Sequence, residues 1–114
     1  MKELKVLIVD DEIMAIEYLR DLIPWNEYGF AIVGEAINFS QALELFNKHR
    51  PQIIISDICM PGISGLELCK RILSIDPKVK ILLLTGYKDF EYAKKAIELG
   101  VSNYIVKHEI TEGM

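Results

Sequence analysis

Long apolar runs are missing from this sequence. None of its 114 residues lies in an apolar stretch approaching the roughly 20 residues needed to cross a bilayer, and the N-terminal residues show no signal-peptide pattern. We therefore expect a protein of the cytoplasm that has no membrane partner.

Clusters of positive charge are missing as well. The 13 Lys and Arg residues are dispersed along a chain whose formal net charge is -4. Nucleic-acid binding draws mainly on the neutralisation of phosphates by basic side chains, so this composition argues against direct contact with DNA.

The sequence lacks the cysteine and glycine patterns of zinc sites and of phosphate-binding loops. The two cysteines are Cys59 and Cys69, and no histidine stands at zinc-finger spacing from them, so we expect two reduced thiols. The sequence contains no G-x-x-x-x-G-K-S/T motif, and the turn over residues 9–12 lacks glycine. Both absences argue against a flavin or nucleotide carrier.

Short apolar runs alternate with helical patterns along the chain. The strand-like runs are residues 4–9, 31–34, 53–56, 81–84 and 104–106. Such alternation predicts right-handed crossovers and a mainly parallel sheet with helices on both faces. We expect one α/β domain over residues 1–114 with a flavodoxin-like, doubly wound sheet of five strands. The strand order 2-1-3-4-5 places the first and third strands side by side.

Capping signals predict where the helices begin and end. Apolar residues at helical spacing from Ile13 predict a first helix that ends before Pro24. The expected N-caps of the second, third and fourth helices are Ser40, Ser64 and Asp89. Glu67 stands three residues after the second of these serines and completes a capping box.

Little sequence follows the last strand. Seven residues come after Lys107, fewer than the roughly 11 residues of an average helix. We therefore expect the final helix to be truncated or missing. Uncovered apolar surface then favours the N-terminal part of a longer protein or a member of an oligomer, with a naturally shortened protein as the alternative.

Polar residues stand where four of the strand-like runs end. They are Asp10, Asp11, Asp57, Thr85 and Lys107. In an open parallel sheet, ligands bind beyond the carboxyl ends of the strands where the strand order reverses, so we expect these side chains to meet there. Taken singly, each has a plainer interpretation, such as a helix cap for the paired aspartates or a solvated position for the lysine. Those interpretations do not explain why all of them share one edge of the sheet.

The three aspartates predict a site for a hard metal ion. Clustered carboxylates repel one another, so they must hold a proton or bind a cation. Mg²⁺ fits best because it takes one or two carboxylates and keeps water positions open for phosphate oxygens, whereas zinc prefers histidine or cysteine. A carboxylate beside such a metal can attack phosphorus, and Asp57, which ends a central strand alone, is the expected nucleophile. Lys107 would balance the added charge, and Thr85 would donate a hydrogen bond to a phosphoryl oxygen.

Four segments together carry a family resemblance. Residues 9–12, 56–62, 84–87 and 104–107 resemble, in order and spacing, the motifs of the chemotaxis-regulator-like receiver domain of two-component response regulators. The resemblance implies a phosphorylation-dependent signalling switch in which Asp57 is the phosphoacceptor, charged by a sensor histidine kinase or by a small phosphodonor. It implies no enzyme activity beyond the domain's own phosphorylation and dephosphorylation.

The same resemblance assigns the remaining roles in the site. The ligands that it implies for Mg²⁺ are the carboxylates of Asp11 and Asp57, the backbone carbonyl of Cys59 and, through water, Asp10. It makes Thr85 and Tyr104 a switch pair that remodels the surface of the fourth helix and fifth strand on phosphorylation.

Two shorter segments resemble one subgroup of receiver domains in particular. Residues 24–30 and 86–93 are similar to receivers that precede AraC-type helix-turn-helix domains. This similarity implies control of transcription through an output domain outside this chain. It also implies contact with DNA through that output domain alone, and a homodimer on activation.

The sequence departs from the family pattern after Lys107. Family members usually carry proline at the next position, often with a cis bond, and His108 takes its place here. A non-proline cis bond costs about 2.5–4 kcal/mol, so we expect a trans bond. The alternative that stays open is a pseudo-receiver that acts only as a protein interaction module.

Overall fold

The structure is a computed structural model that describes residues 3–57, 65–85 and 103–106, together with the single helical positions Lys94 and Glu98. The strands in this part of the chain are β1 (Leu4–Val9), β2 (Phe30–Ala36), β3 (Ile53–Asp57), β4 (Lys80–Thr85) and β5 (Asn103–Val106). The helices with described boundaries are α1 (Ile13–Leu22), α2 (Phe39–His49) and α3 (Gly65–Ile75), and a short 3₁₀ helix spans Trp25–Tyr28.

The strands form one sheet in the order β2-β1-β3-β4-β5, and every pair is parallel. This arrangement confirms the predicted order and the flavodoxin-like, doubly wound fold. β1 and β3 lie side by side, with Val9 paired to Ser56 near their carboxyl ends. The chain order reverses between these two strands, so their carboxyl ends flank the point where such sheets bind ligands.

β1 is buried on both faces of the sheet. Leu7 and Val9 belong to an apolar cluster with residues of α2 and α3, whereas Val6 and Ile8 belong to a second cluster with residues of α1. All of these β1 side chains are 0% exposed. A parallel strand that is covered on both faces needs an unbroken apolar run, which explains why this segment shows no alternation.

β2 lies at the edge of the sheet and carries an irregularity. Its register against β1 shifts between Val6 and Leu7, which leaves one extra residue on β2. Beyond the shift, Gly34 lies close to α2, where an added Cβ would come within 3.2 Å of Cδ1 of Leu45 and of Leu7. The absent side chain therefore lets α2 pack closely against β2.

The predicted N-cap of α2 is wrong. Ser40 lies inside the first turn, and the N-cap is Asn38, whose side-chain oxygen accepts a hydrogen bond from the Gln41 N–H at 2.8 Å. Asn38 has extended backbone, with φ -155° and ψ 173°, and directly precedes the first helical residue. Its side chain can therefore reach the free N–H groups of the first turn, which that of Ser40 cannot.

The corner between α1 and β2 contains a 3₁₀ helix that the sequence patterns do not predict. α1 ends at Leu22, which agrees with the predicted end before Pro24. The Trp25 ring meets the Phe30 ring edge-on with the centroids 6.2 Å apart, and its Nε1 donates to the carbonyl of Leu19 at 3.0 Å. These contacts fix the path of the chain from α1 into the edge strand.

Some expectations concern residues outside those that the structure describes. They are the caps Ser64 and Asp89, the bond after Lys107 and the loss of a final helix. Among the described helices, none combines the length and the apolar character needed to span a membrane.

Candidate functional site

Three aspartates meet at the carboxyl ends of β1 and β3. Asp10 and Asp11 follow the last residue of β1, and Asp57 is the last residue of β3. One carboxylate oxygen from each residue lies within 4.8 Å of the others. The parallel pairing of Val9 with Ser56 brings the two strand ends level, so the cluster follows directly from the sheet register.

The three carboxylates differ in their exposure. Asp10 is 0% exposed and Asp57 is 6% exposed, whereas Asp11 is exposed to solvent. Burial removes water that would otherwise solvate the negative charges, and the short separation adds repulsion between them. The cluster therefore carries an electrostatic cost that a bound cation would offset.

Asp10 has a local role in the turn that leads into α1. Its Oδ1 accepts a hydrogen bond from the Glu12 N–H at 3.0 Å. Glu12 is the N-cap of α1, and its side chain makes no capping hydrogen bond. Neither aspartate is therefore the N-cap of α1, which is the position that the plainer interpretation assigns to them.

The loop between β2 and α2 supports Asp10 from the other side. The Asp10 N–H donates to the carbonyl of Ala36 at 2.9 Å, which extends the contact between β1 and β2 by one residue. The following N–H, of Ile37, donates to Oε1 of Gln41 at 3.0 Å. Because Gln41 is also held by Asn38, the first turn of α2 holds the loop that directly follows Ala36, the residue whose carbonyl positions Asp10.

Ser56 is a polar residue at the site that sequence reasoning missed. It is 0% exposed, and its hydroxyl donates to the backbone carbonyl oxygen of Asp57 at 3.0 Å. The available signal is a hydroxyl that interrupts the β-branched run Ile53–Ile55 immediately before the aspartate. A buried hydroxyl requires a hydrogen-bond partner, so its position next to Asp57 indicates where that bond forms.

The remaining predicted site residues are described in part or not at all. Thr85 is the last residue of β4, where it pairs with Val106, and Tyr104 pairs with Leu83. The backbone thus places Thr85 one residue beyond Leu84, which pairs with Asp57. The side chains of Thr85 and Tyr104 are outside the described part of the structure. Cys59 and Lys107 lie entirely outside the described residues.

The donor set of the cluster suits a hard cation. It contains carboxylate oxygens only, within the region that the structure describes. Oxygen ligands are preferred by Mg²⁺ and Ca²⁺, whereas zinc favours nitrogen and sulfur. The cluster can therefore hold a metal ion of the hard class.

Cys69 lies apart from the site. It is a free thiol on α3, 1% exposed within the apolar cluster between that helix and the sheet. Burial raises the pKa of the Cys69 thiol from 9.0 to about 12. Because the thiolate is the reactive form, this cysteine is a core residue rather than a nucleophile.

Comparison with known proteins identifies the family of this chain. A family model described as the response regulator receiver domain matches residues 6–113. The match begins inside β1 and includes all the aspartates of the cluster.

Curated relatives are similar over most of this chain. The uncharacterized transcriptional regulatory protein YesN of Bacillus subtilis is 38% identical over 103 residues, and the transcriptional regulatory protein HptR of Staphylococcus aureus is 38% identical over 103 residues. Each alignment covers 90% of this chain but only 28% of YesN and 40% of HptR. The chain therefore spans less than half the length of these curated relatives.

Solved structures show the same fold at comparable identity. The REC domain of AraT, a response regulator from Geobacillus stearothermophilus, superposes with a TM-score of 0.86 at 38% identity, covering 96% of this chain and 83% of that one. A two component transcriptional regulator AraC from Clostridium phytofermentans has a TM-score of 0.86 at 33% identity, covering 93% and 82%.

Proposed function

The chain belongs to the response regulator receiver domain family, and from this premise we propose that it is a phosphorylation-dependent switch with Asp57 as the phosphoacceptor. The observation that carries the proposal is the meeting of Asp10, Asp11 and Asp57 within 4.8 Å at the strand ends. Receiver domains are signalling switches rather than conventional enzymes. The proposed chemistry is limited to the phosphorylation and dephosphorylation of the domain itself.

Asp57 is suited to be the nucleophile by its place in the fold. It ends the central strand β3 and retains 6% exposure, so a small donor can reach its carboxylate while most water is excluded. In the proposed step, a carboxylate oxygen of Asp57 attacks the phosphorus of the donor. A new oxygen–phosphorus bond forms, and the bond from phosphorus to the donor atom breaks with its electron pair.

Mg²⁺ is the proposed cofactor. The residues that would hold it are Asp10, Asp11, Asp57 and, by family resemblance, the backbone carbonyl of Cys59. When bound, Mg²⁺ neutralises carboxylate charge and orients phosphoryl oxygens. The oxygen-only donor set of the described cluster supports this choice. Of the two adjacent aspartates, Asp10 would contribute a buried negative charge to the metal site, and Asp11 would contribute a solvent-exposed one.

Three residues are proposed to respond to the phosphoryl group. Thr85 would donate its hydroxyl to a phosphoryl oxygen, and Lys107 would balance the added negative charge. Thr85 and Tyr104 would form the switch pair that remodels the surface of β5 and of the helix before it. The support is positional, since Thr85 ends the strand adjacent to β3 and Tyr104 lies on β5.

The wider role is proposed from the relatives. YesN and HptR are transcriptional regulatory proteins, and this chain matches only part of their length. We therefore propose that residues 1–114 form the receiver part of a longer cytoplasmic response regulator. Its partners would be a cognate sensor histidine kinase, small phosphodonors and a second copy on activation, with DNA contacted only through an output domain.

The surface beside the acidic cluster supports a protein phosphodonor. Ile13 and Met14 open α1 one residue after the paired aspartates and are 59% and 80% exposed, and Ile37 in the loop after β2 is 38% exposed. Exposed apolar side chains grouped around a functional site are typical of docking surfaces. A kinase domain that delivers a phosphoryl group to Asp57 would cover these residues.

Phosphorylation can be tested directly by intact mass spectrometry. We expect incubation with Mg²⁺ and acetyl phosphate to add a single phosphoryl group to the parent protein. Asp57→Asn and a metal-free parent sample should show no addition, because one lacks the nucleophile and the other lacks the cation. The absence of an adduct in every sample would contradict the proposal and favour a pseudo-receiver that acts only as an interaction module.

A further inference from the structure

Ser56 occupies a core position where a hydroxyl is costly. Its cross-strand neighbours are Val9 on β1 and Leu83 on β4, and both belong to the apolar cluster that includes residues of α2 and α3. Ser56 is itself 0% exposed. Burying a hydroxyl among apolar side chains is unfavourable unless it forms a hydrogen bond. Alanine would fill nearly the same space without that cost.

The hydrogen bond of Ser56 is made at the point where β3 loses one of its neighbours. Ladder pairing with β1 ends at Ser56, whereas pairing with β4 continues to Asp57. In the sheet ladder, Asp57 thus pairs with β4 alone, and its carbonyl is the last one of β3. The Ser56 hydroxyl donates to that carbonyl at 3.0 Å and links the last two residues of the strand.

We infer that Ser56 is a positioning residue for the carboxylate of Asp57. The hydrogen bond closes a ring that contains both φ and ψ of Asp57, which keeps this residue in the extended conformation of β3. The direction of its Cα–Cβ bond relative to Asp10 and Asp11 is then also restricted. Metal and phosphoryl sites require ligands to be held within about 0.5 Å, so loss of this hydrogen bond loosens the cluster. The consequence for phosphorylation rests on the proposed function, whereas the effect on the carboxylate does not.

A matched pair of variants separates the hydroxyl from the space that it fills. Ser56→Thr keeps the hydroxyl and adds a methyl group, and Ser56→Val has the shape of that threonine without the hydroxyl. Both variants strain the core equally, so a difference between them reports the hydrogen bond. Ser56→Ala is the third variant, since it removes the hydroxyl without enlarging the side chain and folds even if the larger residues do not fit.

The first measurement is Mg²⁺ affinity by isothermal titration, together with the rate constant for phosphorylation by acetyl phosphate at saturating Mg²⁺. We expect Ser56→Val and Ser56→Ala to weaken Mg²⁺ binding and to slow phosphorylation by about tenfold, the lower end of the effect of losing an outer hydrogen bond at a metal site. Ser56→Thr should stay within about twofold of the parent because it retains the donor. Equal behaviour of the threonine and valine variants would overturn the inference.

The second measurement needs neither metal nor phosphodonor. The ¹³C chemical shift of the Asp57 side-chain carboxylate, measured at one pH in metal-free protein, should differ from the parent in Ser56→Val and Ser56→Ala but not in Ser56→Thr. Unchanged shifts in all variants, with only a loss of stability to urea, would show that Ser56 merely fills the core. If the parent protein neither binds Mg²⁺ nor accepts a phosphoryl group, the proposed function fails. The ¹³C shifts of the Asp57 carboxylate would still decide the role of Ser56.

Discussion

The interior and the carboxyl edge of β1 and β3 are buried to a similar extent but have opposite chemistry. In the interior, Val6–Val9 and Ile54–Ile55 are apolar and no more than 5% exposed. At the edge, Asp10 and Asp57 are 0% and 6% exposed, and both are acidic. Burial of the interior stabilises the fold, at about 25 cal/mol per Å² of apolar surface. Burial of the two neighbouring carboxylates opposes folding.

The two regions differ because their side chains have different functions. The interior residues need only shape and apolar character, and helices on both faces of the sheet satisfy that need. The edge residues Asp10 and Asp57 are placed to bind a cation, which apolar side chains cannot do. Proteins commonly sacrifice stability at the residues that perform their function. The contrast therefore predicts that substitutions in the apolar core and at the acidic edge change stability with opposite signs.

The largest expected effect is a truncation in the interior. Phe46 on α2 is 0% exposed and packs in the cluster that covers β1 and β3. Phe46→Ala should lower the free energy of unfolding by about 3–5 kcal/mol, because it removes buried apolar surface and leaves a cavity. Urea unfolding measures the change. Met14→Ala on the exposed face of α1 is the control and should change stability by less than about 0.5 kcal/mol.

The opposite sign is expected at the edge. Asp10→Asn keeps the acceptor for the Glu12 N–H and removes one of the buried charges near Asp57. In metal-free buffer it should raise the free energy of unfolding by about 1–2 kcal/mol, while Mg²⁺ binding is lost. Asp21→Asn, at an exposed position on α1, is the charge-matched control and should have little effect on either property. A lower free energy of unfolding for Asp10→Asn would contradict the statement that buried charge at the edge opposes folding.

A smaller effect is expected in the loop that supports the edge. Asn38→Ala removes the cap of α2 and should lower the free energy of unfolding by about 1 kcal/mol. Asn38→Asp retains a capping oxygen and should preserve stability. Because the same turn holds the loop next to Asp10, we expect the alanine variant also to weaken Mg²⁺ binding. Thermal unfolding and a Mg²⁺ titration on the three proteins measure both consequences.

An effect of similar size is a pH dependence of stability that arises in the interior. The pKa of Cys69 is 9.0 for an exposed thiol and about 12 when buried, so above pH 9 the unfolded chain loses a proton that the folded chain keeps. Stability is therefore full below pH 9 and falls as the pH rises towards 12. At pH 10 the loss relative to pH 8 should be about 1 kcal/mol greater in the parent than in Cys69→Ala. Equal losses in urea unfolding of the two proteins would show that the thiol does not contribute.

The sheet and the position of the acidic cluster follow from patterns that the sequence displays directly. Apolar runs indicate that β1 and β3 are central strands. The alternation of these strand-like runs with helical segments predicts that the strands pair in parallel. The carboxyl ends of neighbouring parallel strands must then lie together, so the sequence alone is enough to place Asp10, Asp11 and Asp57 at one edge.

Features that depend on local geometry could not be predicted in the same way. Asn38 and Ser40 are both good N-cap residues, and only the end of extended backbone at Asn38 decides between them. The close approach of Leu45 favours glycine at position 34, yet this contact is between α2 and β2 and leaves no local pattern. The hydrogen bond of Ser56 depends equally on where the ladder with β1 stops.

The most direct test of the account is to locate the phosphoryl group on the chain. Borohydride reduces an aspartyl phosphate to homoserine, and peptide mapping by mass spectrometry identifies the residue that is changed. After treatment with Mg²⁺ and acetyl phosphate, we expect homoserine at position 57 and nowhere else, and none when Mg²⁺ is omitted. Homoserine at position 10 or 11, or its absence from every peptide, would contradict the central claim that the edge of the sheet presents Asp57 as the phosphoacceptor.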